Sequence, residues 1–207
     1  MMDASQITGV ILAGGRGSRM GGMDKGLQHF NGTPLTLQAL RRLSPQVGHV
    51  LLNANRNLAA YEAFGAPVWP DSAALGEYAG PLAGFITALT HCQTPYLLTV
   101  PCDTPLFPLD LAARLAQALT REGADIAVAS AREEDGQLRP QPVFCLIAAS
   151  LRDSLAAFTA SGGRKIDAWT AQHRTTAVPF DQPGDAPNAF FNANTLAELR
   201  HLESQSS

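Results

Sequence analysis

Short apolar runs alternate with amphipathic segments through the first 130 residues of the chain. The apolar runs end in glycine, proline or asparagine and are typical of buried strands, whereas the other segments repeat leucine or alanine every three or four positions, as helices do. Strand, helix and strand at this spacing predict right-handed crossovers and an α/β fold, with a doubly wound, mainly parallel sheet and helices on both faces. The predicted strands are residues 7–13, 49–55, 68–69, 96–100 and 125–130, and the predicted helices are residues 34–43, 57–64, 81–91 and 109–121.

The rest of the chain has a less regular pattern. Residues 133–139 are charged and predict a loop. Because residues 7–13 and 96–100 are continuously apolar, their strands are expected in the middle of the sheet. Asn57 is expected to cap its helix, since asparagine is a preferred residue at that position. The remaining predicted strands are residues 142–147 and 175–180, and the remaining helices are residues 148–158 and 195–202.

The composition is that of a globular protein. The 207 residues are 45% hydrophobic and 16% charged, which suits a folded core and one domain. The net charge of -3 argues against a general nucleic-acid binder, which normally carries a basic excess. The three cysteines show no C-x-x-C spacing, so reduced thiols are expected. No signal-peptide pattern and no apolar run of about 18 residues occurs. A soluble cytoplasmic protein without a membrane partner is therefore expected.

A glycine-rich segment, residues 12–25, directly follows the first predicted strand. Its five glycines allow close backbone approach to a ligand, and exposed N–H groups in such a loop form an anion site. Arg16, Arg19 and Lys25 add cations that suit a triphosphate. The segment fails both the dinucleotide fingerprint, which needs a glycine where Met20 stands, and the P-loop pattern. A flexible turn with solvent-facing charges is the alternative interpretation.

The same segment carries a family resemblance. L-A-G-G at residues 12–15, R-M-G at 19–21 and D-K at 24–25 resemble the signature of the pyrophosphate-releasing nucleotidyltransferases, and the L-A-G-G form resembles the molybdenum cofactor guanylyltransferases. The resemblance covers nearly the whole chain in order and thins between residues 133 and 180. The later matching segments are N-A-N-R at 53–56, Asp71, G-P-L-A-G at 80–84, P-C-D-T-P at 101–105 and N-A-N-T at 192–195.

The resemblance implies a Rossmann-like nucleotidyltransferase that transfers GMP from GTP to the phosphate of molybdopterin, the molybdenum cofactor acceptor, and releases pyrophosphate. It implies Mg²⁺ on Asp103, and transient contacts with proteins that deliver or receive the acceptor. Residues 1–207 are expected to form one domain, with 1–130 as the nucleotide-binding half and 131–207 as the acceptor-binding and packing half. The implied catalytic residues are Lys25, Asp103 and Arg19, and the implied GTP contacts are Leu12, Ala13, Gly14, Gly15, Lys25, Asn53, Asp71, Leu82 and Asp103.

Taken without the resemblance, several of these residues keep two interpretations. Asp103 follows a predicted central strand, where α/β proteins collect ligands, but aspartate before a proline is also ordinary turn chemistry. Asp71 and Asn53 either accept and donate bonds to guanine or form turns. The cations Arg139, Arg164 and Lys165 either meet the anionic acceptor or are solvated.

Three other functions stay open: transfer from CTP, transfer to a sugar phosphate, and GTP binding without catalysis. The cytidylyltransferases of this cofactor typically carry Ala-Ala-Gly where this chain has Ala13-Gly14-Gly15. Gly14 is therefore expected to leave room for a purine, and Asp71 or backbone carbonyls near Leu12 and Leu82 are expected to serve as guanine acceptors.

Overall fold

A computed structural model gives the architecture and describes residues 2–15, 23–72, 81–133 and 135–205. The predicted contacts of Arg16 and Arg19 lie outside the described residues. The remainder of the glycine-rich segment is described from Leu12 to Gly15 and from Met23 to Lys25.

Seven strands form one mixed sheet in the order β5-β4-β1-β6-β8-β7-β9. The neighbours of β1 are parallel to it, and only β8 runs antiparallel, to both β6 and β7. The expected central strands β1 and β6 are confirmed, since they lie third and fourth. The strands of this sheet are β1 Ile7–Leu12, β4 His49–Asn53, β5 Val68–Trp69, β6 Tyr96–Pro101, β7 Ile126–Arg132, β8 Leu138–Ala148 and β9 Thr175–Phe180, and the strands β2 His29–Phe30 and β3 Thr33–Pro34 form a separate hairpin.

Helices cover both faces of the sheet, as the sequence predicts. Because side chains alternate along a strand, Ile11 packs into the apolar cluster on one face and Val10 into the cluster on the other. The first cluster includes residues of α1, α2 and α4, and the second includes residues of α3, α5 and α6. The helices are α1 Leu35–Leu43, α2 Leu58–Glu62, α3 Pro81–His91, α4 Leu111–Glu122, α5 Arg152–Ala160, α6 Ile166–Thr170 and α7 Leu196–Gln205.

The differences from the sequence predictions have local causes. Part of the charged segment predicted as a loop, from Leu138, is paired with β7 and begins β8. The short helix α6 was not predicted at all. The predicted cap at Asn57 is wrong in its mechanism, because that residue has a left-handed backbone and its side chain makes no capping bond. The Asn57 amide instead reaches Asp24, 33 residues earlier, with a 2.9 Å bond.

The C-terminal helix packs beside the hairpin rather than on the main sheet. Leu199 and Leu202 of α7 share a third apolar cluster with Phe30 and Leu35. The helix begins with a capping box, in which the Glu198 N–H donates to Thr195 Oγ1 and the Thr195 N–H donates to Glu198 Oε2. This packing and capping hold the segment that precedes α7 close to the carboxyl ends of the central strands.

Candidate functional site

The carboxyl ends of three parallel strands are level with one another. Leu12, the last residue of β1, pairs with Asn53 of β4 on one side and with Pro101 of β6 on the other. The positions two residues after Leu12, Asn53 and Pro101 are occupied by Gly14, Asn55 and Asp103. Since neighbouring strands lie about 4.8 Å apart, the outer two of these positions are separated by two strand spacings, roughly 10 Å. One edge of the sheet therefore collects the predicted site residues.

One group at this edge is a carboxylate held by two amides. Asn53 Nδ2 donates to Asp71 Oδ1 at 2.8 Å and to the Trp69 carbonyl at 3.1 Å. Asn55 Nδ2 donates to Asp71 Oδ2 at 2.7 Å, and the Asp71 N–H donates to Asn55 Oδ1 at 2.7 Å. The predicted guanine contacts Asn53 and Asp71 are thus brought together, and the carboxylate is fixed in a defined orientation.

The backbone of Gly14 lies against this group. Its carbonyl accepts a 3.2 Å bond from Asn55 Nδ2. A Cβ atom built on Gly14 would lie 2.9 Å from Asn55 Nδ2 and 3.0 Å from Asn53 Oδ1, so the two amides occupy the space of a side chain. Gly84 of α3 is equally tight, because its Cβ would lie 2.6 Å from Asn53 Oδ1 and 2.9 Å from Leu12 Cδ2. Both glycines let other elements approach Asn53 closely.

The other predicted nucleotide contacts differ in what they offer a ligand. The Leu12 carbonyl already accepts the Cys102 N–H at 3.1 Å, and the Ala13 N–H donates to the Asn53 carbonyl at 2.8 Å. The Leu82 side chain is fully buried in the core. Around Gly15, a Cβ would meet no described atom within 4 Å. Of these residues, Gly15 therefore has the most open surroundings within the described part of the chain.

The second group at the edge pairs the predicted phosphate-binding cation with the predicted metal ligand. Lys25 Nζ donates to Asp103 Oδ2 at 2.5 Å and to Asn194 Oδ1 at 2.9 Å. The two charged side chains are 20% and 18% exposed, so they remain partly open to solvent. Lys25 and Asp103 consequently share one site, as expected for two groups that act on the same triphosphate.

A buried network holds the backbone just before Lys25. Asp24 is 9% exposed, and its carboxylate accepts a 2.5 Å bond from the hydroxyl of the fully buried Tyr61 and, on its other oxygen, a bond from the Asn57 amide. Burial and the Asp24 carboxylate hold the pKa of the Tyr61 phenol above its ordinary value, so the hydroxyl stays protonated as a donor. Arg56 lies 3.6 Å from the same carboxylate and donates to the Met23 carbonyl.

The segment before α7 also contacts the loop that carries Asp103. The Ala193 N–H donates to the Asp103 carbonyl at 2.9 Å, and the buried Thr104 hydroxyl donates to Asn192 Oδ1 at 2.5 Å. The Asn194 N–H donates to Glu198 Oε2 at 2.7 Å, which ties the segment to the helix cap. The C-terminal part of the chain therefore positions both members of the Lys25–Asp103 pair.

The donor set at Asp103 fits a hard divalent cation. Its Oδ1 atom is buried and has no hydrogen-bond partner among the residues that the structure describes, while Oδ2 is held by Lys25. The described ranges contain no group of three or more His, Cys, Asp and Glu side chains that could hold a metal by themselves. One carboxylate with phosphate oxygens and water is the arrangement that Mg²⁺ favours in nucleotide sites.

The three cations proposed for the acceptor have different surroundings. Arg139 is paired with Glu133 at 3.0 Å and with Asp135 at 2.7 Å. Arg164 donates to the carbonyls of Thr159 and Gly163 at the end of α5. Lys165 is exposed, and its ammonium has no partner within the described ranges.

None of the helices in the described part of the chain is both long and apolar enough to cross a membrane. The cytoplasmic location stays a prediction.

Asn55 and Asn194 contact predicted site residues, and Tyr61 contacts Asp24 beside one of them, although the sequence predicted no role for these three side chains. Asn55 and Asn194 stood only within the resembling segments, and Tyr61 stood within a helix. The repeated N-A-N triplets and the T-x-x-E pattern after Asn194 are the sequence signals that point to the first two. Tyr61 has no such signal, because its bond to Asp24 joins residues 37 positions apart.

Comparisons with known proteins identify the family of the chain. The MobA-like NTP transferase domain matches residues 9–178. A molybdenum cofactor guanylyltransferase of Acidovorax sp. (strain JS42) is 68% identical over 208 residues, which cover 98% of each chain. Another, of Albidiferax ferrireducens, is 66% identical over 209 residues with the same coverage.

Solved structures share the fold. Molybdopterin-guanine dinucleotide biosynthesis protein A from Archaeoglobus fulgidus aligns with a TM-score of 0.74 at 23% identity, covering 96% of this chain and 98% of its own. The 4-diphosphocytidyl-2C-methyl-D-erythritolsynthase of Anaerococcus prevotii has the same TM-score at 11% identity, with 99% of each chain covered.

The sheet, the site and the matched domain together define a nucleotidyltransferase of the MobA-like type. The similarity to the curated relatives extends over the full chain and is far above the level that fold alone requires. The chain belongs to the molybdenum cofactor guanylyltransferase family.

Proposed function

We propose that the chain transfers GMP from GTP to the phosphate of molybdopterin, forming molybdopterin guanine dinucleotide and pyrophosphate. The observation that carries the proposal is the contact of Lys25 with Asp103 at the same sheet edge as the Asn53–Asp71 pair. The first pair suits a metal-bound triphosphate and the second suits a base. Their separation, about two strand spacings, fits the two ends of one nucleotide.

In the proposed reaction, an oxygen of the acceptor phosphate attacks the α-phosphorus of GTP. The new P–O bond forms as the bond from the α-phosphorus to the bridging oxygen breaks, and that oxygen leaves with pyrophosphate. The acceptor phosphate is anionic at neutral pH, so no side chain has to remove a proton. The triphosphate would be held in line by Lys25, Arg19 and the loop amides at Gly14 and Gly15. Catalysis would come from alignment and charge neutralisation.

Asp103 would hold Mg²⁺ through its unpartnered Oδ1 atom. When bound, the ion supplies positive charge that offsets the charge developing on the α-phosphate and on the leaving pyrophosphate. Lys25 now bonds the other carboxylate oxygen, Oδ2, and is thereby held where phosphate oxygens would lie. The same ammonium donates to Asn194, which keeps it at the site when it exchanges one acceptor for another.

Asp71 would accept bonds from the base, as the amides of Asn53 and Asn55 keep its carboxylate oriented.

Of the cations proposed for the acceptor, Lys165 is the one we favour, because Arg139 and Arg164 are already engaged in contacts within the protein. We propose that residues 1–130 bind the nucleotide and that residues 131–207 bind the acceptor, with one exception. Asn194 of the second half would also serve the nucleotide, through Lys25.

The proposal is tested by incubating the protein with molybdopterin, Mg²⁺ and each of the four nucleoside triphosphates. We expect pyrophosphate and a guanine dinucleotide from GTP, and far less product from CTP. Asp103→Asn should keep the fold and lose transfer, because the isosteric amide lacks the charge that a metal needs. Equal product from CTP would support the cytidylyl alternative. Bound GTP without pyrophosphate release would identify a binding module instead.

A further inference from the structure

We propose that Asn55 is a positioning residue for base selection, holding the Asp71 carboxylate and the Gly14 carbonyl in one fixed arrangement. The inference rests on the proposed function, because it requires that Asp71 contacts guanine. Asn55 is not itself one of the expected GTP contacts.

Both donors of the Asn55 amide are used inside the protein. Its two N–H groups go to Asp71 Oδ2 at 2.7 Å and to the Gly14 carbonyl at 3.2 Å, and its oxygen accepts the Asp71 N–H at 2.7 Å. An asparagine amide has two donor hydrogens, so no donor is left for a ligand. Any effect of these two donors on a nucleotide must therefore pass through Asp71 or Gly14.

The orientation of Asp71 matters because guanine presents two adjacent N–H donors, N1–H and the 2-amino group. A carboxylate can accept both only when its plane and its two oxygens face that edge. Asn53 and Asn55 each donate to a different oxygen of Asp71, which fixes the rotation of the carboxylate and leaves lone pairs for the base. Without Asn55, Asp71 Oδ2 and the Asp71 N–H lose these partners, and the bond from Asn53 to Oδ1 is left to orient the carboxylate.

Gly14 acts on the same amide. A methyl group at position 14 would lie 2.9 Å from Asn55 Nδ2, which is closer than a Cβ atom normally comes to a neighbouring atom. We infer that the residue at position 14 influences base choice by displacing the Asn55 amide. This differs from the expectation that its side chain would simply occupy the space of a purine.

If Asn55 had only a structural role, Asn55→Ala would lower the unfolding temperature. We expect otherwise for a positioning residue. The side chain is exposed and belongs to no apolar cluster, so its removal opens no cavity in the core. Asn55→Ala should thus unfold at nearly the temperature of the unaltered protein. Gln172→Ala is a matched control, because Gln172 is an exposed amide just beyond α6 that donates to the Ala168 carbonyl, outside the site.

The experiment compares kcat/KM for GTP with kcat/KM for inosine triphosphate, which lacks the 2-amino group. We expect Asn55→Ala to lower the GTP-to-inosine-triphosphate ratio by about tenfold, the factor set by loss of one well-placed hydrogen bond to a charged group. Most of the change should come from GTP. Asn55→Asp should lower the ratio further, because it places a carboxylate against Asp71. Gln172→Ala should leave the ratio unchanged.

Asp71→Ala separates the two levels of the proposal. If Asp71→Ala collapses the ratio while Asn55→Ala leaves it intact, the positioning role is refuted and the base contact stands. If Asp71→Ala itself leaves the ratio intact, the proposed base contact is wrong. Equal losses for both nucleotides in Asn55→Ala, together with a lower unfolding temperature, would reduce Asn55 to a structural residue and overturn the inference.

Discussion

Replacing Tyr61 by phenylalanine removes one oxygen from the buried network that holds Asp24. Tyr61 is fully buried and its hydroxyl donates to Asp24 Oδ1 at 2.5 Å, while the ring packs in the apolar cluster that contains α1 and α4. Phenylalanine keeps the ring, so the change isolates the hydrogen bond. A lost bond to a buried charged group costs about 1.5–3 kcal/mol. For a domain of this size each kcal/mol lowers Tm by about 2–4 °C, so we expect a decrease of about 3–12 °C.

The same variant tests whether the network serves the site. Asp24 immediately precedes Lys25, so a displaced Asp24 should move the ammonium away from Asp103 and raise the GTP dissociation constant, by up to about tenfold. Thermal unfolding and GTP titration measure the two effects. Tyr96→Phe is the control, because the Tyr96 hydroxyl has no hydrogen bond within the described ranges. An unchanged Tm for Tyr61→Phe would refute the expected free-energy cost of losing the bond to Asp24 Oδ1. An unchanged GTP affinity would show that this network does not position Lys25.

Three further predictions concern single side chains. Lys25→Ala should weaken GTP binding by roughly ten- to a hundredfold in isothermal titration, and unchanged affinity would mean that Lys25 only neutralises Asp103. Gly14→Ala should narrow the preference for GTP over CTP in a competition assay, and a constant ratio would exclude position 14 from base choice. The hydrogen bond from Arg114 lowers the pKa of Asp185 below its ordinary value, so this pair stabilises the protein at pH above that ordinary value, and the contribution is lost as pH falls through the folded-state pKa. Asp185→Asn should therefore flatten the acid limb of the unfolding free energy, and an identical limb in both proteins would contradict the assignment.

Several elements have bounds that match the sequence prediction or nearly match it. The helix Pro81–His91 and the strand Val68–Trp69 match their predictions, and β1 ends one residue early. The helix Ile166–Thr170 was missed because five residues are too few to show a helical period. The first residues of β8 are exposed and include Pro140, so their composition resembles that of a loop although they pair with β7.

The residues of the site also fall into two groups: those whose position the sequence predicts and those whose contacts it does not. Lys25 and Asp103 could be placed at one edge because each follows a strand or its loop, and parallel strands end together. The bonds of Asn55 and Tyr61 join residues distant in sequence, and no short-range pattern encodes such partners. The Leu12 carbonyl was expected among the guanine acceptors, and in the structure it also accepts the Cys102 N–H, which leaves its second lone pair for a ligand. Such use of a main-chain group depends on the register of two strands, which the sequence does not state.

The position of Asn194 beside Lys25 has a consequence for how the protein matures during synthesis. The Lys25 ammonium bonds partners that lie 78 and 169 residues later in the chain. Contacts of such long sequence separation form late, because the intervening chain must first be ordered. On the ribosome, the sheet strands β1, β4 and β6 are available long before the Asn194 segment emerges, since chains are made from the N-terminus at about 5–20 residues per second. A nascent chain can therefore possess most of its core while its nucleotide site is still incomplete, and competence to bind GTP would mark the end of folding.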